Sequence, residues 1–273
     1  MIKLVLQSAR DIPRPPQAPK IVRLLTLARD LRRRKARERR GLFVAEGVRA
    51  VEELVGSSLE IEGILVAPQL EEAPRGAALA DAIRGRGLVV EAVAALEFAS
   101  AAETESPQGV LALARIPATG LDDIEPLESL RLLILDAVQD PGNVGTIVRT
   151  AAALGAQAVL ALPGTVDLWN AKVVRSGMGA HFHFPTIMCG WDELSSFRAR
   201  HGLRVWGADA GGSMIGADPP PARLGIVVGN EGAGLSESVR SSVDRLVSIP
   251  MAGRSESLNV AVAAGILLHE VRP

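Results

Sequence analysis

Three short polar blocks in the second half of the chain hold the residues best suited to chemistry. They read Asp140-Pro-Gly-Asn-Val-Gly-Thr-Ile-Val-Arg149, Val228-Gly-Asn-Glu-Gly-Ala-Gly-Leu-Ser236 and Ile249-Pro-Met-Ala-Gly-Arg-Ser-Glu-Ser-Leu-Asn-Val260. Each follows an apolar run that reads as a buried strand, and each leads into a helical pattern. Open α/β sheets bind ligands beyond the carboxyl ends of their strands, so three such loops can line one pocket. Gly229, Gly232 and Gly234 let backbone N–H and C=O groups approach a ligand closely. Asn230, Ser257 and Asn259 are polar groups at turns or at a helix start, while Ile249 and Met251 can cover a flat ring. Glu231 sits between two turns, where a carboxylate can bind loop amides. Pro141 and Gly142 read as a turn, with Asn143 as the cap of a helix over 146–154. Arg149 lies among Val148, Thr150 and Ala151–Ala153. An arginine in such a setting usually faces an anion or a carboxylate rather than open water.

Other chemistries lack their residues. No Gly-x-Gly-x-x-Gly follows the first strand of either half, and neither a Walker A sequence nor a Gly-x-Ser-x-Gly elbow occurs. His181 and His183 alternate as on a strand, but no third ligand stands at a useful spacing, so no metal site is expected. The single cysteine, Cys189, allows no internal disulfide, which fits a reducing, cytoplasmic setting. No apolar run reaches about 18 residues, so no membrane span is expected.

The elements that must position the blocks are legible as alternating patterns. Residues 1–19, with Pro13, Pro15, Pro16 and Pro19, read as a loose, extended arm. Lys20 to Arg40 reads as one helix, too poor in apolar residues in its second half to be held by a core. Strands over 42–45, 61–66, 88–93 and 108–114, with helices over 46–55 and 77–84, make a small α/β domain spanning 20–117. A polar linker covers 118–128. The second domain, 129–273, opens on the apolar run Leu132–Leu135, typical of a central parallel strand. Helices over 146–154, 169–178, 236–244 and 258–271 alternate with strands over 158–162, 203–208, 224–228 and 247–249. The fold class is therefore α/β, with a mostly parallel sheet and helices on both faces.

Charge is unevenly distributed. The net charge is −1, yet residues 1–49 hold 14 Lys and Arg against four acids, about +10, leaving about −11 on the rest. A basic end on an acidic body points to a polyanionic partner. A solvated helix face is the plainer alternative for such a run.

Taken together, the three blocks resemble the signatures of the SpoU/TrmH family of RNA ribose 2′-O-methyltransferases, over residues 131–271. The residues that carry this are Asn143 with Arg149, Gly229-Asn-Glu-Gly232, and Ile249-Pro-Met with Ser257-Leu-Asn-Val260. Ala261 departs from the pattern, which commonly has Ser there. Arg39-Arg-Gly-Leu-Phe-Val-Ala-Glu-Gly-Val-Arg49 and Glu105-Ser-Pro-Gln-Gly-Val-Leu111 resemble the substrate-binding domain that precedes the catalytic one in many members. Residues 170–182 are similar to such enzymes too.

The resemblance implies a C-terminal trefoil knot, a homodimer formed through the catalytic domain, and S-adenosyl-L-methionine as methyl donor. Val228, Gly229, Asn230, Gly232, Ile249, Met251, Ser257, Leu258 and Asn259 would bind the donor. Arg149, Asn143, Glu231, Ser257 and Asn259 would form the catalytic set, Arg149 by holding a phosphate and stabilising charge on the ribose oxygen. Arg32, Arg33, Arg34, Lys35, Arg39, Arg40, Lys172 and Arg175 would contact RNA. Family analogy favours ribosomal RNA. Transfer RNA, or a catalytically silent RNA-binding or assembly protein of the same fold, are the alternatives.

Overall fold

The structure is a computed structural model that describes residues 23–125, 128–216, 218–253 and 257–272. The expected N-terminal arm lies outside the described residues. So do 126–127 of the expected linker and 254–256 of the third block.

The N-terminal part runs α1 (Leu24–Leu31), α2 (Arg34–Arg40), β1 (Leu42–Glu46), α3 (Val48–Gly56), β2 (Ile61–Val66), α4 (Pro74–Gly85), β3 (Val90–Ala92), α5 (Ala95–Ala99) and β4 (Val110–Arg115). Its sheet has the order β1-β4-β2-β3, antiparallel except between β2 and β3. The C-terminal part runs β5 (Leu130–Leu135), α6 (Pro141–Ala153), β6 (Ala158–Ala161), α7 (Ala171–Ser176), β7 (Thr186–Met188), α8 (Trp191–His201), β8 (Arg204–Met214), β9 (Arg223–Val228), α9 (Glu237–Arg240), β10 (Arg245–Ser248) and α10 (Val260–Glu270). Its six strands are ordered β10-β8-β9-β5-β6-β7, and every pairing is parallel.

Central β5 is buried at all of its positions, as expected of a parallel strand covered on both faces. Leu133 and Leu135 face α6, α7 and α10, whereas Leu132 and Ile134 face α8 and α9. Arg131 interrupts the apolar run without leaving the interior. Its guanidinium donates to the carbonyls of Leu130, Ala222 and Val271, which anchors the end of the chain to the central strand.

The two sheets meet through aromatic packing. Phe43 of β1 lies 4.5 Å from Trp169 and 5.8 Å from Phe182, ring centre to ring centre. These residues belong to one buried cluster that runs from α3 and α4 through to β5, α6 and α10.

Several expectations are corrected. The single N-terminal helix is two helices, broken at Arg32–Arg33, where Arg33 is extended. The cause is Arg37. Its Nη1 donates to the carbonyls of Leu31 and Arg32 at 2.7 and 2.9 Å, and its Nε donates to Asp167 at 2.7 Å. A cation at the end of α1 satisfies carbonyls that would otherwise go unpaired. The second half is therefore held by the body of the protein, through buried Ala36 and Arg37. His181 and His183 do not alternate on a strand. His181 lies in a short 3-10 turn, 180–182, and His183 follows it. Burial lowers the His181 imidazole to about 4, against a smaller opposite effect of the Leu168 carbonyl, so it stays neutral. The helix expected over 236–244 is a single turn, 237–240, whereas β8 runs on to Met214 with a register shift against β10. Strand β7 and helices α5 and α8 were not expected.

Candidate functional site

The three blocks converge beyond the carboxyl ends of β5, β9 and β10. Asp140, not Asn143, caps α6. Its carboxylate accepts the Asn143 N–H at 2.8 Å, and Pro141 takes the first helical position, where no N–H is needed. The Asn143 side chain is thereby free to bridge. Its Nδ2 donates to Glu231 Oε1 at 3.1 Å, and its Oδ1 accepts from Asn259 Nδ2 at 2.9 Å. One amide thus ties the first loop to the second and to the third.

Each end of this bridge is anchored. Glu231 also accepts the backbone N–H groups of Gln139 and Asp140 at 3.3 and 3.1 Å. Desolvation alone would raise its carboxyl. The backbone amides of Glu231, Asp140 and Gln139, with the Asn143 side chain, outweigh it and hold the group below the ordinary carboxylate value. Asn259 caps α10, accepting from the N–H groups of Ala261 and Val262. Asn230 accepts from Gly232 and Ala233 and donates to the Ala137 carbonyl at 2.9 Å. The second loop folds tightly on itself, since Asn230 and Gly234 exchange both backbone hydrogen bonds. A Cβ on Gly229 would lie 2.2 Å from the Gly234 carbonyl carbon, so only glycine fits.

A cavity of about 410 Å3 lies between the second loop, the third loop, β8 and α10. Val228, Gly229, Asn230, Glu231, Gly232, Ile249, Met251, Ser257 and Leu258 line it. Asn259, expected to bind a ligand directly, does not line it and instead caps α10. Arg149 and Asn143 lie outside this lining. Arg149 is exposed on α6 and, among the described residues, makes no hydrogen bond or ion pair. Among the described residues it meets no carboxylate, contrary to one of the two expectations for it.

Sequence reading missed the β8 wall, which consists of Ala208, Asp209 and Ala210. Only Asp209 offered a signal, as a carboxylate at a strand end. It pairs with Arg240 of α9 and accepts the Gly211 N–H at 2.9 Å. The hydrogen bond from Arg240, foremost, keeps its carboxyl below the usual range.

The expected RNA contacts divide into two groups. Arg33, Arg39 and Arg40 all reach Asp30, and Arg34 pairs with Glu38. Arg32, Lys35 and Lys172 are exposed and carry no such partner among the described residues. Arg175 is half-buried, with Nη1 3.8 Å from the Glu46 carboxylate. Helix α2 lies against β1, and none of its residues lines the three-loop cavity.

A parallel α/β sheet whose glycine-rich loops line a pocket beyond the strand ends is a ligand-binding architecture of the α/β class. The SpoU rRNA methylase family matches residues 131–269, and the MRM3-like substrate-binding domain matches residues 25–112. The chain belongs to the SpoU methylase family. It is 35% identical over 243 residues to the 23S rRNA (guanosine(2553)-2′-O)-methyltransferase RlmP of Bacillus subtilis, covering 89% of this chain and 93% of that one. It is 32% identical to a 23S rRNA (uridine(2479)-2′-O)-methyltransferase of Streptomyces viridochromogenes, covering 87% of this chain and 84% of that one. The crystal structure of AviRb from the same organism, in complex with AdoMet, superposes with a TM-score of 0.80 at 30% identity over 91% of this chain and 96% of that one. Among the described residues, no helix is long and apolar enough to cross a membrane.

Proposed function

We propose that this protein transfers a methyl group from S-adenosylmethionine to a ribose 2′-hydroxyl of ribosomal RNA. The observation that carries the reading is the Glu231–Asn143–Asn259 chain, which ties three loops together at the cavity, with Arg149 exposed on the same helix as Asn143 and unpaired among the described residues. The cavity fits the donor. About 410 Å3 is within the range of small-molecule pockets, and the walls combine apolar Val228, Ile249, Met251 and Leu258 with close-approaching glycine backbone. When bound, S-adenosylmethionine supplies a methyl group already activated by the positive charge on its sulfur.

The chain's own residues then have separable tasks. The apolar side chains would cover an adenine ring, and loop backbone groups would read its edge. Glu231, Asn143 and Asn259 are positioning residues that fix the loops before any ligand arrives, so little ordering remains to be done on binding. Orientation of this kind can supply of order 7–11 kcal/mol in favourable cases. Arg149 offers a fixed cation. A guanidinium remains charged in proteins, so its fitting task is to hold a phosphate and stabilise negative charge growing on the 2′-oxygen, while the hydroxyl proton passes to solvent and the demethylated donor leaves as a neutral thioether. Ser257, on the cavity wall, orients the ribose or the donor.

The same reading includes a trefoil knot, a homodimer formed through the C-terminal domain, and an RNA grip by α2. The SpoU family match over residues 131–269 supports the first two, and exposed Arg32 and Lys35 support the third. Light scattering on the purified protein tests the dimer. Calorimetry with S-adenosylmethionine and methylation of an unmodified 23S rRNA transcript test the activity. Binding with turnover is the expected result, and absence of both overturns it.

A further inference from the structure

Another cavity, of about 300 Å3, with six polar or charged side chains among its lining residues, lies at the seam between the two sheets, apart from the three-loop site. Both runs that mark the N-terminal domain meet there. Glu46 and Arg49 come from the first, Thr104, Ser106 and Gln108 lie in or beside the second, and Arg175 enters from α7. The acceptors at this cavity are already engaged. Glu46, 3% exposed, accepts the N–H groups of Glu103 and Thr104 at 2.8 and 3.2 Å as well as the Thr104 hydroxyl. Gln108 Oε1 accepts the Val48 N–H at 2.9 Å, which assigns its Nε2 as the free donor end.

Among the described residues the donors carry no hydrogen bond, although Arg175 keeps a long ion pair with Glu46. Arg175 Nη1 is buried and has no hydrogen bond, since Glu46 at 3.8 Å is too distant to supply one. Arg49 is exposed on the first turn of α3, without an ion pair among the described residues. A cavity holding two guanidiniums, a free amide and a serine hydroxyl, with its only carboxylate saturated, calls for an anionic ligand rich in acceptors. Its position also matters. Helix α7 carries Lys172 one turn before Arg175, and packs on α6 at Gly145, where a Cβ would meet Val173 O at 2.5 Å. Arg149 stands one turn beyond Gly145 on that same helix face.

We propose that this seam cavity is a second RNA subsite, which seats a backbone phosphodiester flanking the methylated nucleotide and makes one strand engage both domains. The proposal rests on the RNA-methyltransferase reading. The test uses the full-length protein with S-adenosylmethionine and a fluorescently labelled 23S rRNA transcript, with affinity measured across a salt series. Arg49→Gln and Arg175→Gln should each lower the log–log salt slope by about 0.7–0.9, the signature of one lost phosphate contact. Both should raise KM for RNA with little change in kcat, and Arg175→Lys should keep the slope. Arg115→Gln, which removes the same charge from a pair with Glu60 and Glu62, should leave the slope unchanged. A role confined to stability would lower Tm without moving the slope.

Unchanged slopes in both Gln variants would overturn the proposal. Inorganic phosphate at matched ionic strength should compete weakly with RNA at this cavity. Saturable phosphate binding that needs Arg49 and Arg175 yet leaves RNA affinity untouched would mark a free-phosphate site and overturn the proposal as well. A wild-type protein that binds RNA but transfers no methyl group would refute the catalytic reading alone, and the slopes would still decide the subsite.

Discussion

The three-loop site and the exposed cations of α6, α7 and the α1–α2 region are built on opposite terms. In the loops, Glu231, Asn143, Asn259 and Asn230 are bonded to one another or to backbone. On the surface, Arg149, Lys172, Arg32 and Lys35 are exposed and unpaired among the described residues. The first region is ready-made for a ligand of fixed shape. The second holds its donors open for a large polyanion that brings its own acceptors. The contrast predicts that loop substitutions act on donor binding, whereas cation substitutions act on RNA and turnover.

Gly229→Ala should break the contrast most severely. Its new Cβ would lie 2.2 Å from backbone of Gly234 and 2.5 Å from Leu235 N, and backbone cannot give way as a side-chain tip can. S-adenosylmethionine affinity should fall by more than about 100-fold by calorimetry, with the circular dichroism spectrum retained, since a shift of some 3 kcal/mol is typical of forced overpacking. Affinity within threefold of wild type would mean that the cavity is not the donor site.

Arg149→Ala tests the other region. Loss of a single transition-state donor of this kind costs about 10²–10³ in turnover. Single-turnover methylation should slow by that factor while the Kd for S-adenosylmethionine changes by less than about twofold, because Arg149 lies outside the cavity lining. Equal losses in both measurements would erase the distinction between the two regions.

How far these regions were legible in the sequence follows from the kind of signal each left. Continuous apolar runs located β5 and β9 closely, because a strand covered on both faces has few polar residues to confuse it. The start of α6 was misplaced because Asp140 and Asn143 are equally good caps and a Pro-Gly pair reads as a turn. Only the tertiary demand on the Asn143 side chain, which Glu231 and Asn259 share, decides between them. Arg37 was indistinguishable from its neighbours of the same type, since its role depends on Asp167, 130 residues away. Asp209 and the β8 wall were hidden because β8 was ended too early, at residue 208. Short β7 and the largely polar α8 left no periodic signal strong enough to read.

Asn143→Ala sits where the regions meet, and should blur the contrast to an intermediate degree. It leaves Glu231 and Asn259 each short of one partner, and an unsatisfied partner costs about 1–3 kcal/mol when buried. Both partners are partly solvated here, so the lower end applies, about a fivefold to tenfold loss. That loss should appear in donor affinity and in kcat/KM together, unlike either variant above. A change confined to one of the two would assign Asn143 wholly to that region.

The smallest effect should separate cations of identical type on α2 and the break before it. Arg32 is exposed and unpaired among the described residues, whereas the neighbouring Arg33 is held by Asp30. An exposed ion pair is worth little to stability, typically under 1 kcal/mol, so neither substitution should shift Tm measurably. Phosphate binding differs, because Arg33 must leave its carboxylate before it can meet RNA. Asp30 is held below its ordinary value, chiefly by the hydrogen bond from Arg33, so that competitor remains ionised throughout the physiological range. Arg32→Gln should therefore lower the salt slope of RNA binding by about 0.7–0.9, with Arg33→Gln lowering it by less. Were Arg33 the more sensitive position, pairing within the protein would not be what sets the RNA-facing cations apart.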